Sequence, residues 1–298
     1  MEKTPLFSVL IANYNNGKYL QEAVDSVLAQ TYTNWEIIIV DDKSTDNSAE
    51  VYNQYKDDSR FHIYFNDKNE GCGYTKRRCA ELAQGDICGF LDPDDTLMPN
   101  ALETMVKAHI DNRNVSLIYS RYNIITADGS VIGISQQQED MPEGGSFLEG
   151  QGGISHFVSY KRNYYLQTPG IDPDYKRAVD HDLYLLLEEV GKVLFLDLVL
   201  YNYRTETGDN ISLGQNGDKA FLWHLVGMVD ACRRRGLPIE DVVSKDLDNY
   251  LTWNRNEARI DGIESIKKSL SYRIGNILIK PFKCFSNINS FLKHKLNR

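Results

Sequence analysis

The run Gly89-Phe90-Leu91-Asp92-Pro93-Asp94-Asp95 ends an apolar segment in three carboxylates within four positions. Two carboxylates about 5 Å apart repel by roughly 3 kcal/mol at an effective dielectric near 20, so acids clustered at a strand end need a compensating cation. A divalent metal meets that need. All-oxygen ligation suits Mg²⁺ or Mn²⁺, which keep some waters and take substrate phosphates as further ligands, so the run predicts a phosphorylated substrate. The competing reading is a solvated turn in which Asp92 or Asp95 caps the helix that Pro99 opens. Two other apolar runs stop in the same manner, Phe7–Ile11 at Asn13-Tyr14-Asn15-Asn16-Gly17 and Trp35–Val40 at Asp41-Asp42.

The elements that must hold these residues alternate. Short apolar runs predict strands at Phe7–Ile11, Trp35–Val40, Phe61–Phe65 and Asp86–Leu91. Between them, helices are predicted over Lys18–Gln30, Ser48–Tyr55 and Thr75–Ala83, the first from the spacing of Leu20, Ala23, Val24, Val27 and Leu28. Strand alternating with helix is the pattern of a mostly parallel sheet covered on both faces, where ligands bind outside the carboxyl ends of the strands. One crevice can then collect Asn13-Tyr14, Asp41-Asp42 and Asp92 to Asp95. Further on, a helix is predicted near Pro99–His109, and the strands Leu117–Tyr122 and Val131–Ile134 flank an Asp128-Gly129 turn. Ser135–Gly153 is polar and long, as expected of a functional lid or a disordered segment. Asp180-His181-Asp182 opens an apolar helix through Leu187, Val193–Leu200 reads as a strand, and Tyr201-Asn202-Tyr203-Arg204 leads into another polar loop before a helical remainder.

Composition narrows the class. The chain has 298 residues, 42% hydrophobic and 25% charged, enough to bury a large core in a soluble globular protein. A formal charge of −9 argues against nucleic acid as a partner. No apolar run approaches a membrane span, and Met1-Glu2-Lys3-Thr4-Pro5 lacks the form of a secretory signal, so a cytoplasmic location is expected. Cys72, Cys79, Cys88, Cys232 and Cys284, odd in number and without a Cys-x-x-Cys pair, read as structural thiols.

Taken in order, several segments resemble the family 2 glycosyltransferases, the inverting group with the GT-A fold. They are Ser8-Val9-Leu10-Ile11-Ala12-Asn13-Tyr14-Asn15, Ser26-Val27-Leu28-Ala29-Gln30-Thr31-Tyr32, Glu36 to Asp46, Asn69-Glu70-Gly71, Ala83-Gln84-Gly85-Asp86 and Phe90 to Asp95. The resemblance is dense over residues 7–100 and thinner to about 212. It implies an α/β fold with a Rossmann-like, mostly parallel central sheet. It also implies transfer of a sugar from a nucleotide sugar, a UDP-sugar above all, to a glycan or lipid-linked acceptor in cell-surface polysaccharide assembly.

The resemblance assigns roles residue by residue. Tyr14 stacks on the base, while Ala12 and Asp42 hydrogen-bond it, with Asn13 and Asp41 nearby. Within the run Asp92 to Asp95, Asp94 and Asp95 hold the ribose and a divalent metal, Mn²⁺ or Mg²⁺, that neutralises the leaving diphosphate. Lys76 or Arg77 adds positive charge for the phosphates or lies on a solvated helix face. Asp180 takes the place of the general base, with Val179 where relatives carry Glu, and Gly170-Ile171-Asp172 stands for the element before it. The alternative for Asp180 is a helix cap. Glu206 stands where many relatives carry a metal-binding His, and it is either an oxygen ligand or a solvated loop acid. His156 is an acceptor-side residue or a structural histidine.

The expected organisation is a catalytic domain over residues 1–212, split near residue 100 into nucleotide-sugar and acceptor halves, with a helical extension over 213–298. From Ile263 onward eight basic residues oppose Glu264 alone, a net of +7, so residues 1–262 carry −16. With Ile263, Ile266, Leu270, Ile274 and Ile277 at helical spacing, this tail predicts either peripheral attachment to the inner membrane face or a helix docked on the catalytic domain. Two other functions fit the same residues: a catalytically silent nucleotide-sugar-binding scaffold, or a nucleotidyltransferase, against which the lack of a Gly-rich N-terminal phosphate loop counts.

Overall fold

A computed structural model describes residues 4–205 and 217–257. Strands β1 (Phe7–Asn13) and β2 (Trp35–Asp41) run parallel, with Phe7 opposite Trp35 and Asn13 opposite Asp41. Their near-continuous apolar runs are buried because helices cover both faces of the sheet. Helix α1 (Gly17–Leu28) follows β1 and turns Leu20, Ala23, Val24 and Val27 into the core. Then come α2 (Ser48–Tyr55), β3 (Phe61–Phe65), α3 (Cys72–Leu82) and β4 (Ile87–Phe90). β3 adds to β2 and β4 to the other side of β1, both in parallel. The chain therefore reverses its winding between β1 and β4, and at such a switch point a crevice opens at the carboxyl ends of the strands. A buried polar clasp fixes this half: Ser8 Oγ donates to Glu36 Oε1 (2.5 Å), which also accepts from the Gln84 and Gly85 N–H groups. Position 85 is glycine because a Cβ there would lie 2.5 Å from Ser8 Oγ.

The second half is mixed. It contains β5 (Thr96–Leu97), α4 (Ala101–Asp111), β6 (Val115–Ile125), β7 (Val131–Ile134), β8 (Val158–Lys161), α5 (Arg162–Tyr165), α6 (Val179–Val190) and β9 (Lys192–Arg204). β8 is antiparallel to both β4 and β6, β6 and β9 are parallel, and β5 lies antiparallel to β9. β6 and β7 form the hairpin expected about Asp128-Gly129, with β6 continuing to Ile125 and Gly129 at φ +86°. The strand expected to end at Leu200 runs to Arg204, because Tyr201–Arg204 pair with the end of β6.

The stretch Ser135–Gly153 corrects the expectation of disorder. Its Phe147 and Leu148 are buried, Glu188 of α6 accepts from Ser146 Oγ and the Phe147 N–H, and Tyr119 Oη donates to the Glu139 carbonyl. Helix α7 (Gly217–Arg235) packs on α6 through Leu222, Leu225, Met228 and Val229, and α8 (Ile239–Glu257) follows. Among the described residues no helix is long and apolar enough to cross a membrane. Glu206 and the basic tail from Ile263 lie outside the described residues.

Candidate active site

At the end of β1, Asn13 is fully buried and its amide donates to Asp41 Oδ2, Ser48 Oγ (3.0 Å) and Tyr52 Oη (2.8 Å). Asp41 accepts also from Tyr52 Oη (2.7 Å) and from the Ser44 N–H (2.8 Å). These two residues, expected near the donor, hold together the β1 and β2 loops that carry Tyr14 and Asp42. Asn15, at φ +53°, completes the clasp by donating its N–H to Ser44 Oγ and accepting from the Thr45 N–H. Tyr14, between them, is left 48% exposed. Ala12, beside it, is partly buried against the core.

Asp42 is buried, and its carboxylate accepts from Asn66 Nδ2 (2.7 Å) and from the Glu70 and Gly71 N–H groups (2.8 Å each). It thereby folds the loop before α3, where Gly71 takes φ +96°, a conformation that favours glycine. Tyr14, Asn69, Gly71 and Cys72 form one side of a cavity of about 670 Å³, a size suited to a small-molecule ligand.

A buried lysine ties the donor-side run to the acceptor side, as Arg204 of β9 does elsewhere by pairing with Glu22 of α1 (2.6 Å). Lys76 on α3 is buried, and its Nζ lies 3.2 Å from Asp92 Oδ1 and 2.7 and 2.9 Å from the two oxygens of Asp180. Burial works against the Lys76 charge, but Asp180 and Asp92 outweigh it and hold the ammonium well above its ordinary range. Burial likewise works against the Asp92 charge, and Lys76 followed by His156 keeps that carboxylate below its usual value. His156 Nε2 stands 4.0 Å from Asp92, its ring stacked between Tyr201 and Tyr203 at 5.3 Å from each. Asp180 sits in the first turn of α6, which Ala178 enters at φ +53°.

The last two acids of the run diverge. Asp95 is 1% exposed and holds β9, accepting from Tyr201 Oη (2.8 Å) and from the Arg204 N–H (2.6 Å). Burial, with Asp94 and Asp92 nearby, raises it well above a normal carboxyl. Asp94 is only partly buried, and its backbone carbonyl, not its carboxylate, accepts from Arg204 Nε. Burial, with the charge of Asp92, pushes Asp94 up to about 6. Among the described residues no cluster of three His, Cys, Asp or Glu forms a ready-made cage. The chemistry still fits a hard divalent ion, which needs only one or two carboxylates when substrate phosphates complete its shell, and Asp94 is an acid whose ionisation such an ion would favour.

Arg77, the alternative to Lys76, instead pairs with Glu81 and donates to the Ile171 carbonyl. The joining of Lys76 to Asp180 across 104 positions left no trace in the sequence. The stacking of His156 could have been sought only in the aromatic spacing of Tyr201 and Tyr203.

Comparison with known proteins gives a concordant result. The family model described as "Glycosyl transferase family 2" matches residues 8–165. A chondroitin synthase of Pasteurella multocida is 30% identical over 269 residues, 90% of this chain and 26% of that protein. A Pasteurella multocida hyaluronan synthase is 33% identical over 73% of this chain and 22% of its own length. The chain thus spans about a quarter of these relatives. The crystal structure of S. aureus TarS 1–349 in complex with UDP-GlcNAc superposes with a TM-score of 0.69 at 18% identity, covering 91% of this chain and 80% of that one. This likeness supports the expected GT-A architecture with its helical C-terminal region.

Proposed function

Because the chain belongs to the family 2 glycosyltransferases, we propose that it transfers a sugar, with inversion, from a UDP-sugar to a glycan or lipid-linked acceptor of a surface polysaccharide. The observation that carries the reading is the single cation Lys76 holding Asp92, from the donor-side run, against Asp180, the acceptor-side base. Tyr14 and the Asn69–Gly71 loop receive the base. Asp94 holds a divalent ion, Mn²⁺ or Mg²⁺, which when bound supplies charge neutralisation for the leaving diphosphate. Asp95, saturated by β9, supports the run rather than ligating. A bond forms from the acceptor oxygen to the anomeric carbon while the bond to the diphosphate breaks, and Asp180 takes the hydroxyl proton. Lys76 keeps Asp92 and Asp180 from repelling each other before that step and neutralises Asp92 after it.

The relatives named as chondroitin and hyaluronan synthases support polysaccharide as the product class, and the neighbour's complex with UDP-GlcNAc supports the uridine donor. The net charge of +7 from Ile263 onward supports peripheral attachment at a membrane that presents a lipid-linked acceptor. The test is a panel of nucleotide sugars assayed for hydrolysis and transfer with and without Mn²⁺. Release of UDP from one donor, dependent on the ion, is expected. Turnover of a nucleoside triphosphate with pyrophosphate release, and of no sugar donor, would replace the reading with a nucleotidyltransferase.

A further inference from the structure

The cavity that Tyr14 opens has a second wall, built from residues beyond the 8–165 stretch that matches the family model. Lys176, Arg177, Lys219 and Trp223 line it. In a chain of net charge −9, three cations and an aromatic ring around one cavity select an anionic ligand with a planar group. Lys176 and Arg177 belong to the segment that leads into Asp180. That segment is fastened to α3, where the Gly73 N–H donates to the Tyr175 carbonyl (2.9 Å) and Lys176 Nζ to the Glu70 carbonyl (3.1 Å). Its other side is fastened to α7: Tyr175 Oη donates to Asp230 (2.9 Å), and the Tyr175 and Trp223 rings lie 5.3 Å apart.

We propose that α7 completes the donor site, Trp223 forming an aromatic wall for the nucleoside and Lys219, with Lys176 and Arg177, the cationic rim for its phosphates. Helix α7 is then part of substrate recognition as well as support for α6. Trp223 is partly exposed at the cavity, as a residue waiting on a ring system must be, and Lys219 one turn earlier on the same helix is exposed. The inference rests on the nucleotide-sugar reading above, and its test separates the two.

Binding of UDP and of uridine to the full chain is measured by calorimetry for the wild type, Trp223→Ala, Trp223→Phe and Lys219→Glu. Loss of a stacking wall is expected to weaken both ligands about tenfold in Trp223→Ala, with recovery in Trp223→Phe. Lys219→Glu is expected to weaken UDP several-fold, leave uridine unchanged and flatten the salt dependence of UDP binding. Wild-type binding of UDP with equal affinity in Trp223→Ala and Lys219→Glu would reduce α7 to a structural support while leaving the donor reading intact. Absence of UDP binding in the wild type would overturn the donor reading, and this inference with it. Should Trp223→Ala unfold, Lys219→Glu carries the test alone, since an exposed side chain leaves the core unaltered, and unchanged UDP affinity there overturns the proposal.

Discussion

At the end of β2, Asp41 and Asp42 accept hydrogen bonds from Asn13, Ser44, Tyr52, Asn66, Glu70 and Gly71, and both carboxylates are buried in that work. At the end of β4, the Asp92 carboxylate has, among the described residues, Lys76 and a distant His156 as partners, and Asp94 is raised to about 6. The two strand ends read alike in the sequence, each an apolar run stopped by acids. Their difference lies in how many donors the surrounding loops aim at each carboxylate. Where the donors come from backbone N–H groups and hydroxyls, the acid shapes a loop. Where they are few, or are a single shared cation, the acid keeps capacity for a ligand, an ion or a proton.

The contrast can be broken most forcefully within one dipeptide. Asp94→Asn should abolish Mn²⁺-dependent UDP binding and turnover while leaving the fold stable. Asp95→Ala should retain the ion dependence but strand a Tyr201 hydroxyl and an Arg204 N–H, at a cost of about 1–3 kcal/mol in urea unfolding. Calorimetry and unfolding on both variants decide it, and a reversed pattern would make Asp95 the ligand and Asp94 the support.

Next in size is the base. Asp180→Asn retains an oxygen for Lys76 but cannot take the acceptor proton, so transfer should fall by about 10² or more with UDP affinity kept. Near-normal transfer by the folded variant would reduce Asp180 to a residue of the α6 first turn.

The sequence made the first half of this molecule far more legible than the second, for physical reasons that particular residues show. β1, β2 and β4 are buried on both faces, so they read as unbroken apolar runs with their boundaries near the acids. β8, by contrast, carries Ser159, whose hydroxyl meets buried His109, and β5 is two residues that exist as a strand only because β9 pairs with them. Neither has a periodicity of its own. The site divides along the same line. That acids collect at the strand ends follows from local pattern. That Asp95 faces β9, that Lys76 reaches Asp180, and that Trp223 shares a cavity with Tyr14 all depend on how distant elements dock.

The smallest expected effect compares Asp180 with Asp182, two acids in the same helical turn. Asp182 is 4% exposed at the contact between α6 and α7 and faces Arg234 at 3.4 Å, a long contact. Burial is the main influence and raises its pKa from 3.8 to about 6, Arg234 opposing the rise only in part. Between about pH 4 and 6 the folded protein therefore holds a proton that the unfolded chain has released, so stability falls as pH rises through that window and stays lower above it. Asp182→Asn cannot ionise and still offers Arg234 an oxygen. It should flatten that fall and make the protein more stable than wild type at pH 7.5, by roughly 1–3 kcal/mol, while leaving transfer intact. Urea unfolding at pH 4.5 and 7.5 checks both. A variant less stable than wild type at pH 7.5 would show that the pair with Arg234 outweighs burial. Asp182 would then belong with the well-supplied acids at the end of β2.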